Sequence, residues 1–469
     1  MYGITVNRAS NLSITKQLYQ QIRKNILNGH LREGDSLPAT RKFASQLSIS
    51  RNIVLEVYDQ LKIEGFIESR QGSYTSVAAG AFLTQLPSKF SAENQFDTSP
   101  PSDMINFRYG IPALDHFPRK AWKKTLTQTI LDVSVSYFDY NDIAGCLKLR
   151  TAIATYLFKT RGIVCSPKQI IVTSGSTQAF TLITQLLLSH NRKVIIEDPL
   201  NIQLQRYLSS LGCQFVPIPI DEQGLQTDYL LKQSISPPSF ILVTPSQQFP
   251  TGGILPIQRR IQLIRFARET NSYIVEDDYE NEFTFEGSPI SSLQELAPEK
   301  VIYVGTFSKT LIPTLRLGYM ILPNTLMEKF YKLDWYATQQ PSAIDQLALA
   351  SFIDSGQFER HVAKMNKIYQ KRRNKVMLEL NRHFTNNVKI LSNSAGLHLT
   401  VQFKAIKFSS QLLSHILHYG VQIYSAHQHV IDKNNTSLLN QAILGYGNLN
   451  ENEIVEGIQR LKTALNNMD

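Results

Sequence analysis

Cysteine is scarce: the chain has three, Cys146, Cys165 and Cys213, and none stands at metal-ligand spacing from another. An odd trio argues against a disulfide framework and fits a reducing compartment. Long apolar runs are also missing. No stretch is long enough to cross a bilayer, and the opening YGITVNRASNLSITK lacks the apolar core of an export signal, so a cytoplasmic location is expected. There is no internal repeat and no low-complexity tract. Negative charge is in deficit, with 38 Asp and Glu against 48 Lys and Arg and a net charge of +10. That balance favours a polyanionic partner without naming one, since many basic proteins never touch nucleic acid.

What is present is enough apolar residue for sizeable cores, 42 % of 469 residues. The length exceeds what one hydrophobic core usually spans, so a small module plus a large domain is expected. Residues 14–28 carry Leu18, Ile22 and Ile26 at four-residue spacing with Gly29 just beyond, the pattern of an amphipathic helix closed by a C-terminal glycine. A second helix is predicted from Thr40 to Leu47, burying Phe43, Ala44 and Leu47. A third starts near Ser50, a good N-cap, and ends at Gly65. LSIS between them has the length of a helix-turn-helix turn. FIESRQGSYTSV then alternates around Gln71-Gly72 as a two-stranded hairpin does.

These signals place a first domain at 1–77 and a Ser- and Pro-rich linker at 78–103. From 104 to 469, β-rich runs such as QIIVTSGS, KVIIEDP, FILVTPS, YIVEDDY and VIYVGTFSK alternate with helical stretches. The alternation predicts an α/β domain with a largely parallel sheet covered on both faces. The C-terminal part mixes a long helix (HVAKMNKIYQKRRNKVMLELNRHF) with short strands, as a smaller α+β lobe would.

A helix that reads DNA needs hydrogen-bonding side chains at its N-terminus, where they reach base edges and phosphates in the major groove. Ser50, Arg51 and Asn52 stand there. Arg41 on the preceding helix is placed to meet phosphate or a guanine, and Arg70, Gln71 and Gly72 at the hairpin tip to probe a neighbouring groove. Residues 1–77 hold ten Lys or Arg against six Asp or Glu, a net +4. The same outline also suits a dimerisation or docking module.

Pyridoxal phosphate requires an amine for its Schiff base, a carboxylate to keep its ring nitrogen protonated, and a cradle for its phosphate. Lys309 in GTFSKTLIPTLRLGY is the amine candidate, Asp277 at the end of YIVED the carboxylate, and Tyr279 a hydrogen-bond donor to the phenolic oxygen. Gly175, Ser176 and Thr177 lie at a strand-to-helix junction, where free N–H groups and the helix dipole favour an anion. Thr306, Ser308 and Arg316 flank the lysine with hydroxyls and a fixed positive charge.

In order along the chain, LPATR, FASQLSISRNIV, VYDQLKIEGFI and QGSYTSV resemble the GntR-type winged helix-turn-helix. INFRYGIPALDHFP, TSGSTQAF, TPSQQFPTGG, IVEDDYENEF and GTFSKTLIPTLRLGY resemble fold-type I aminotransferases. With both on one chain, the sequence resembles the MocR subfamily of GntR regulators, its GabR-like and PdxR-like members above all. The resemblance implies a winged helix-turn-helix joined to a fold-type I aminotransferase-like domain, pyridoxal 5'-phosphate on Lys309, double-stranded DNA at Arg41, Ser50, Arg51, Asn52, Gln71 and Gly72, and a head-to-tail homodimer.

Relative to that pattern several groups are missing. No arginine occurs between Arg382 and Arg460, where aminotransferases commonly hold the substrate carboxylate. EDPLNIQ places Asn201 and Gln203 where the GabR-like pattern EEPGYxR has tyrosine and arginine, and Gln247 replaces the histidine of TPSHQ. A pocket that keeps the cofactor but lacks grips for an amino acid implies a sensor of pyridoxal phosphate more than an efficient transaminase. A sensor of a small amine or amino acid, an aminotransferase with an accessory module, and a DNA-binding protein with a vestigial pocket remain the alternatives. His427 and His429 in SAHQHV are expected to be loop histidines rather than an anion or metal site.

Overall fold

The computed structural model describes residues 3–69, 74–81, 103–139, 142–188, 192–232, 236–285, 290–333, 340–392, 395–432 and 435–467. The chain divides into two compact units, Met1–Ser99 and Pro100–Asp469.

In the first unit, helices α1 (Ile14–Leu27), α2 (Thr40–Leu47) and α3 (Arg51–Ile63) precede a hairpin of β1 (Ile67–Ser69) and β2 (Thr75–Val77). The four-residue spacing in α1 puts Leu18, Ile22 and Ile26 on one fully buried face. Phe43, Val54, Val57 and Leu61 complete that core. Burying each such side chain contributes about 1.5–3 kcal/mol. Leu47 is only half-buried, at the rim. Ser48 in the left-handed region (φ 51°) makes the turn, and Ser50 caps α3 by accepting from the Asn52 N–H. Ala78 donates to the Phe66 carbonyl, so pairing continues just past β2.

The second unit opens with a short strand β3 (Ile105–Asn106), followed by α4 (Arg119–Asp132) and α5 (Leu147–Arg161). Its large sheet takes β4 (Ile170–Thr173), β5 (Lys193–Asp198), β6 (Gln214–Asp221), β7 (Gly224–Leu225), β8 (Phe240–Val243), β9 (Tyr273–Asp278), β10 (Val301–Thr306) and β11 (Gly318–Ile321). The spatial order is β4-β11-β10-β9-β8-β5-β6-β7. β10, β9, β8, β5 and β6 run parallel, as the alternation implies, whereas β11 is antiparallel to both β10 and β4. The sheet is therefore mixed. Within β5, Val194 and Ile196 pack into one layer and Ile195 into the other, which is why the run is continuously apolar. Helix α6 (Ser176–Leu187) follows β4, and α7 (Ile202–Ser210) follows β5.

The smaller lobe has a four-stranded sheet, β12 (Val388–Ser392), β13 (His398–Phe403), β16 (Gln441–Gly445) and β15 (Tyr424–Ser425), backed by the helix Gln357–Phe384. β3 does not join the large sheet. It pairs in parallel with β14 (Val421–Gln422), so the chain entering this unit is fastened to the small lobe. Among the described residues no helix is long and apolar enough to cross a membrane.

Candidate functional site

Strands β4, β5, β8 and β9 end on one side of the sheet, and the residues just beyond their carboxyl ends enclose a cavity of about 610 Å³ lined in part by Ser176, Thr177, Thr244, Asp277, Tyr279 and Lys309. Such ends are where open α/β sheets bind ligands.

Side-chain alternation along β9 sorts its acidic residues. Glu276 accepts N–H bonds from Leu293 and Gln294 at 3.0 Å each, and Asp278 is held by Arg161 at 2.7 Å and by the Tyr303 hydroxyl at 2.5 Å. Asp277, between them, points the other way and lines the cavity. Its carboxylate makes no hydrogen bond with a described residue. Burial, reinforced by the charge of Asp278 and opposed by Lys309, pushes its pKa up to about 7. Behind it, buried Glu197 accepts from Thr244 Oγ1 at 2.5 Å.

Lys309 follows β10 and its Nζ donates to the Gly110 carbonyl at 2.5 Å. Burial holds its pKa below the usual lysine range, against the pull of Glu280 and Asp277 and with help from Arg108. A lowered pKa leaves more of the lysine in its neutral, nucleophilic form than a free lysine has.

At the end of β4, Gly175 (φ 80°) turns the chain into α6, whose first N–H groups have no partner within the helix. Arg316 donates to the Ser174 carbonyl at 2.8 Å, and a Cβ on Gly175 would come within 3.3 Å of its guanidinium, so glycine is what lets the two approach. Gly175, Thr306, Ser308 and Arg316 stand beside the cavity rather than in its lining. The buried Thr306 Oγ1 accepts from the Ser308 N–H at 3.2 Å. Tyr279 lines the cavity, with its hydroxyl 3.4 Å from the Gln247 carbonyl.

The departures from the family pattern acquire local reasons. Asn201 caps α7, accepting from the N–H groups of Gln203 and Leu204. Gln203 is exposed at the cavity mouth, and Gln247 donates to the Ala395 carbonyl of the small lobe at 3.0 Å. His429 is fully buried, its Nδ1 accepting from the Ile202 N–H at 3.0 Å, while Gln205 donates to the His429 carbonyl at 2.6 Å. His427 Nε2 lies 3.0 Å from the Asn435 carbonyl. Among the described residues no group of three or more His, Cys, Asp or Glu is arranged to hold a metal.

Arg108, Tyr109, Gly110, Glu280 and Tyr424 also reach the cavity, a role the sequence reading did not assign them. Arg108 and Gly110 lie within the motif INFRYGIP, but only the fold reveals that this motif meets Lys309.

In the first unit, Arg41, Ser50, Arg51 and Asn52 are all exposed around the start of α3. Arg51 Nε donates to Thr40 Oγ1 at 3.4 Å, whereas the side chains of Arg41 and Asn52 bond to no described residue. Gln71 and Gly72, and Arg70 with them, lie outside the described residues.

A helix-turn-helix with a hairpin on the same chain as an aminotransferase-like cavity defines the class: a DNA-binding regulator with an enzyme-derived ligand domain. Residues 14–77 match the family of bacterial regulatory proteins named gntR, and residues 102–429 match aminotransferase class I and II. The chain is 33 % identical to the uncharacterized HTH-type transcriptional regulator YdeL of Bacillus subtilis (strain 168), over 98 % of both chains. It is 32 % identical to the probable rhizopine catabolism regulatory protein MocR of Rhizobium meliloti, over 98 % of this chain and 95 % of that one. It is also 32 % identical to the pyridoxine biosynthesis regulator PdxR of Corynebacterium glutamicum, over 79 % of each. Among solved structures, the α-aminoadipate aminotransferase LysN of Thermus thermophilus, complexed with N-(5'-phosphopyridoxyl)-L-leucine, superposes with a TM-score of 0.68 at 25 % identity, over 78 % of this chain and 92 % of that one. The protein belongs to the MocR-type GntR transcriptional regulators, and its aminotransferase fold implies a pyridoxal phosphate cofactor.

Proposed function

We propose that this regulator binds paired operator half-sites as a homodimer and responds to pyridoxal phosphate held covalently at Lys309. The observation that carries the reading is the meeting, on one cavity, of a half-buried lysine with lowered pKa and a carboxylate that has no hydrogen-bond partner among the described residues. Those residues fit the cofactor: Asp277 for the ring nitrogen, Tyr279 for the phenolic oxygen, and the start of α6 (Gly175, Ser176, Thr177) with Thr306, Ser308 and Arg316 for the phosphate. Bound there, pyridoxal phosphate would supply an aldehyde that condenses with a primary amine, its oxygen leaving as water. The chain's own part would be to lower the pKa of Lys309 by burial and to offer Asp277 and Tyr279 as hydrogen-bonding groups to the cofactor. Arg41, Ser50, Arg51, Asn52, Gln71 and Gly72 are the proposed DNA contacts.

Sensing is favoured over turnover by the small lobe. β16 presents Ile443, fully buried beside Phe249, and no arginine. Exposed Leu131, Val135 and Phe138, at the end of α4 and just after it, leave apolar surface that the proposed homodimer could bury. A ligand shifts such a regulator only by its differential affinity for two arrangements, commonly worth about 5–150-fold.

The test is affinity for the DNA upstream of the protein's own gene at fixed salt, with and without pyridoxal phosphate, for wild type and Lys309→Ala. Both proteins should bind, and only the wild type should change its affinity or footprint when the cofactor is added. An equal response in Lys309→Ala would refute covalent sensing. The likeness to an aminotransferase supports a second reading, an enzyme, which turnover of an amino acid and keto acid pair at about 1 per second or faster would establish.

A further inference from the structure

The small-lobe strands carry no arginine to grip a carboxylate, yet the cavity is not without one. Residues 105–111 run as an arm along the small lobe: β3 pairs with β14, Phe107 donates to Gln422, and Gly445 donates to Phe107. The fit depends on two glycines at the end of β16. A Cβ on Gly445 would fall 2.2 Å from the Arg108 carbonyl oxygen, and one on Gly447 would fall 2.4 Å from that of Ile111. Thus anchored, the arm brings the Gly110 carbonyl to Lys309 and sets Arg108 at the cavity.

Arg108 is the one arginine among the described residues that line the cavity. It is exposed, and it makes no hydrogen bond or ion pair with any described residue. Its charge is felt at Lys309, Tyr109 and Tyr424, whereas Arg316 lies against Ser174 and Gly175 at the start of α6. Besides Lys309, one cationic group thus lies in the lining and one beside it, and the latter, at the start of α6, already has a proposed use in the cofactor's phosphate. At about 610 Å³ the cavity lies in the middle of the range that encloses whole ligands.

We infer that Arg108 is an anion anchor for a second ligand, an amino acid whose amine meets the cofactor at Lys309 and whose carboxylate is forked by the Arg108 guanidinium. The arm thereby performs the task that the small-lobe arginine performs elsewhere in the fold. A planar guanidinium matches a carboxylate with two parallel hydrogen bonds. An amine without a carboxylate has nothing to offer it. The inference rests on the proposal that the cavity holds pyridoxal phosphate.

The experiment is a visible-absorbance titration of full-length protein loaded with pyridoxal phosphate. The probes are the common L-amino acids, ω-amino acids of three to five carbons, and n-butylamine as the carboxylate-free control. At least one amino acid should perturb the wild-type band at lower concentration than n-butylamine. Arg108→Gln should raise that amino acid's half-saturating concentration roughly ten- to hundredfold relative to that of n-butylamine, the loss expected of a charged hydrogen-bonded pair; the ratio cancels the effect that losing the Arg108 charge has on Lys309 for both ligands. Arg108→Lys should fall between, with the charge kept and the fork lost. A band that no amino acid perturbs, or Arg108→Gln weakening amine and amino acid alike, overturns the anchor. Wild type showing no cofactor band overturns the cofactor reading instead.

Discussion

Asp277 shows how a single carboxylate is kept available. Unfolded, it titrates near 3.9; in the cofactor-free fold, burial and Asp278 push it up to about 7. A carboxyl with a raised folded pKa holds its proton more tightly when folded, so its contribution to stability is fully present at low pH. That contribution is lost as pH rises from about 4 to about 7. Glu197 and Glu276, both buried, and half-buried Glu282, each pushed up to about 7, act in the same direction. The cofactor-free protein should lose stability across that interval. Asp277→Asn, which has no proton to lose, should lose less and be more stable at pH 8 by about 1 kcal/mol or more. The same variant should retain pyridoxal phosphate poorly. Denaturant midpoints at pH 5 and pH 8, with cofactor retention by absorbance, check both halves; a pH dependence identical to wild type would remove Asp277 from this account.

At the scale of elements, the arm and the turn after β5 tie the cavity to the small lobe. The arm is fixed by close backbone approach, so Gly445→Ala should force it away from β16, cost roughly 1–3 kcal/mol as overpacked sites do, and weaken cofactor retention without altering any group that lines the cavity. A thermal midpoint unchanged within error would mean that the arm can shift freely. The turn is fixed by the His429 and Asp198 contacts; Asp198 accepts from the N–H groups of Ile431 and Asp432 at 2.8 and 3.3 Å. The sequence made the helices of the first unit legible because period, N-cap and closing glycine agree locally in α1 and α3. It also made the buried parallel strands legible, because their apolar runs are continuous. Lys309, Asp277 and Ser176 could be picked out because each stands at the end of such a run. Strand order, the antiparallel insertion of β11 and the seating of the arm were not legible, since they are set by pairings across hundreds of residues. The contact of Gly110 with Lys309 spans 199 positions and leaves no local trace. The role of Asn201 was not legible for a related reason: the sequence shows that the tyrosine of the family pattern is absent, and only the structure shows that the asparagine in its place caps α7.

At the scale of the whole molecule, each unit carries a separate physical signature, and these can be measured independently. DNA affinity includes a counterion-release component, so log K falls with log salt in proportion to the phosphates neutralised. Arg41 and Arg51, exposed around the start of α3, should each account for about one phosphate; Arg41→Ala or Arg51→Ala should reduce the slope by ~1 and weaken specific and non-specific DNA similarly. An arginine that instead reads a base should change specificity and leave the slope nearly intact. Lys309→Ala should leave the slope untouched, because it lies in the other unit and contributes to the response rather than to the contact. The comparison then becomes diagnostic in the wild type. If the cofactor changes the slope, its occupancy changes how many phosphates the protein touches. If it changes affinity at constant slope, occupancy acts on base contacts or on DNA shape, and the search for the moving element belongs at the start of α3 rather than among the surface cations.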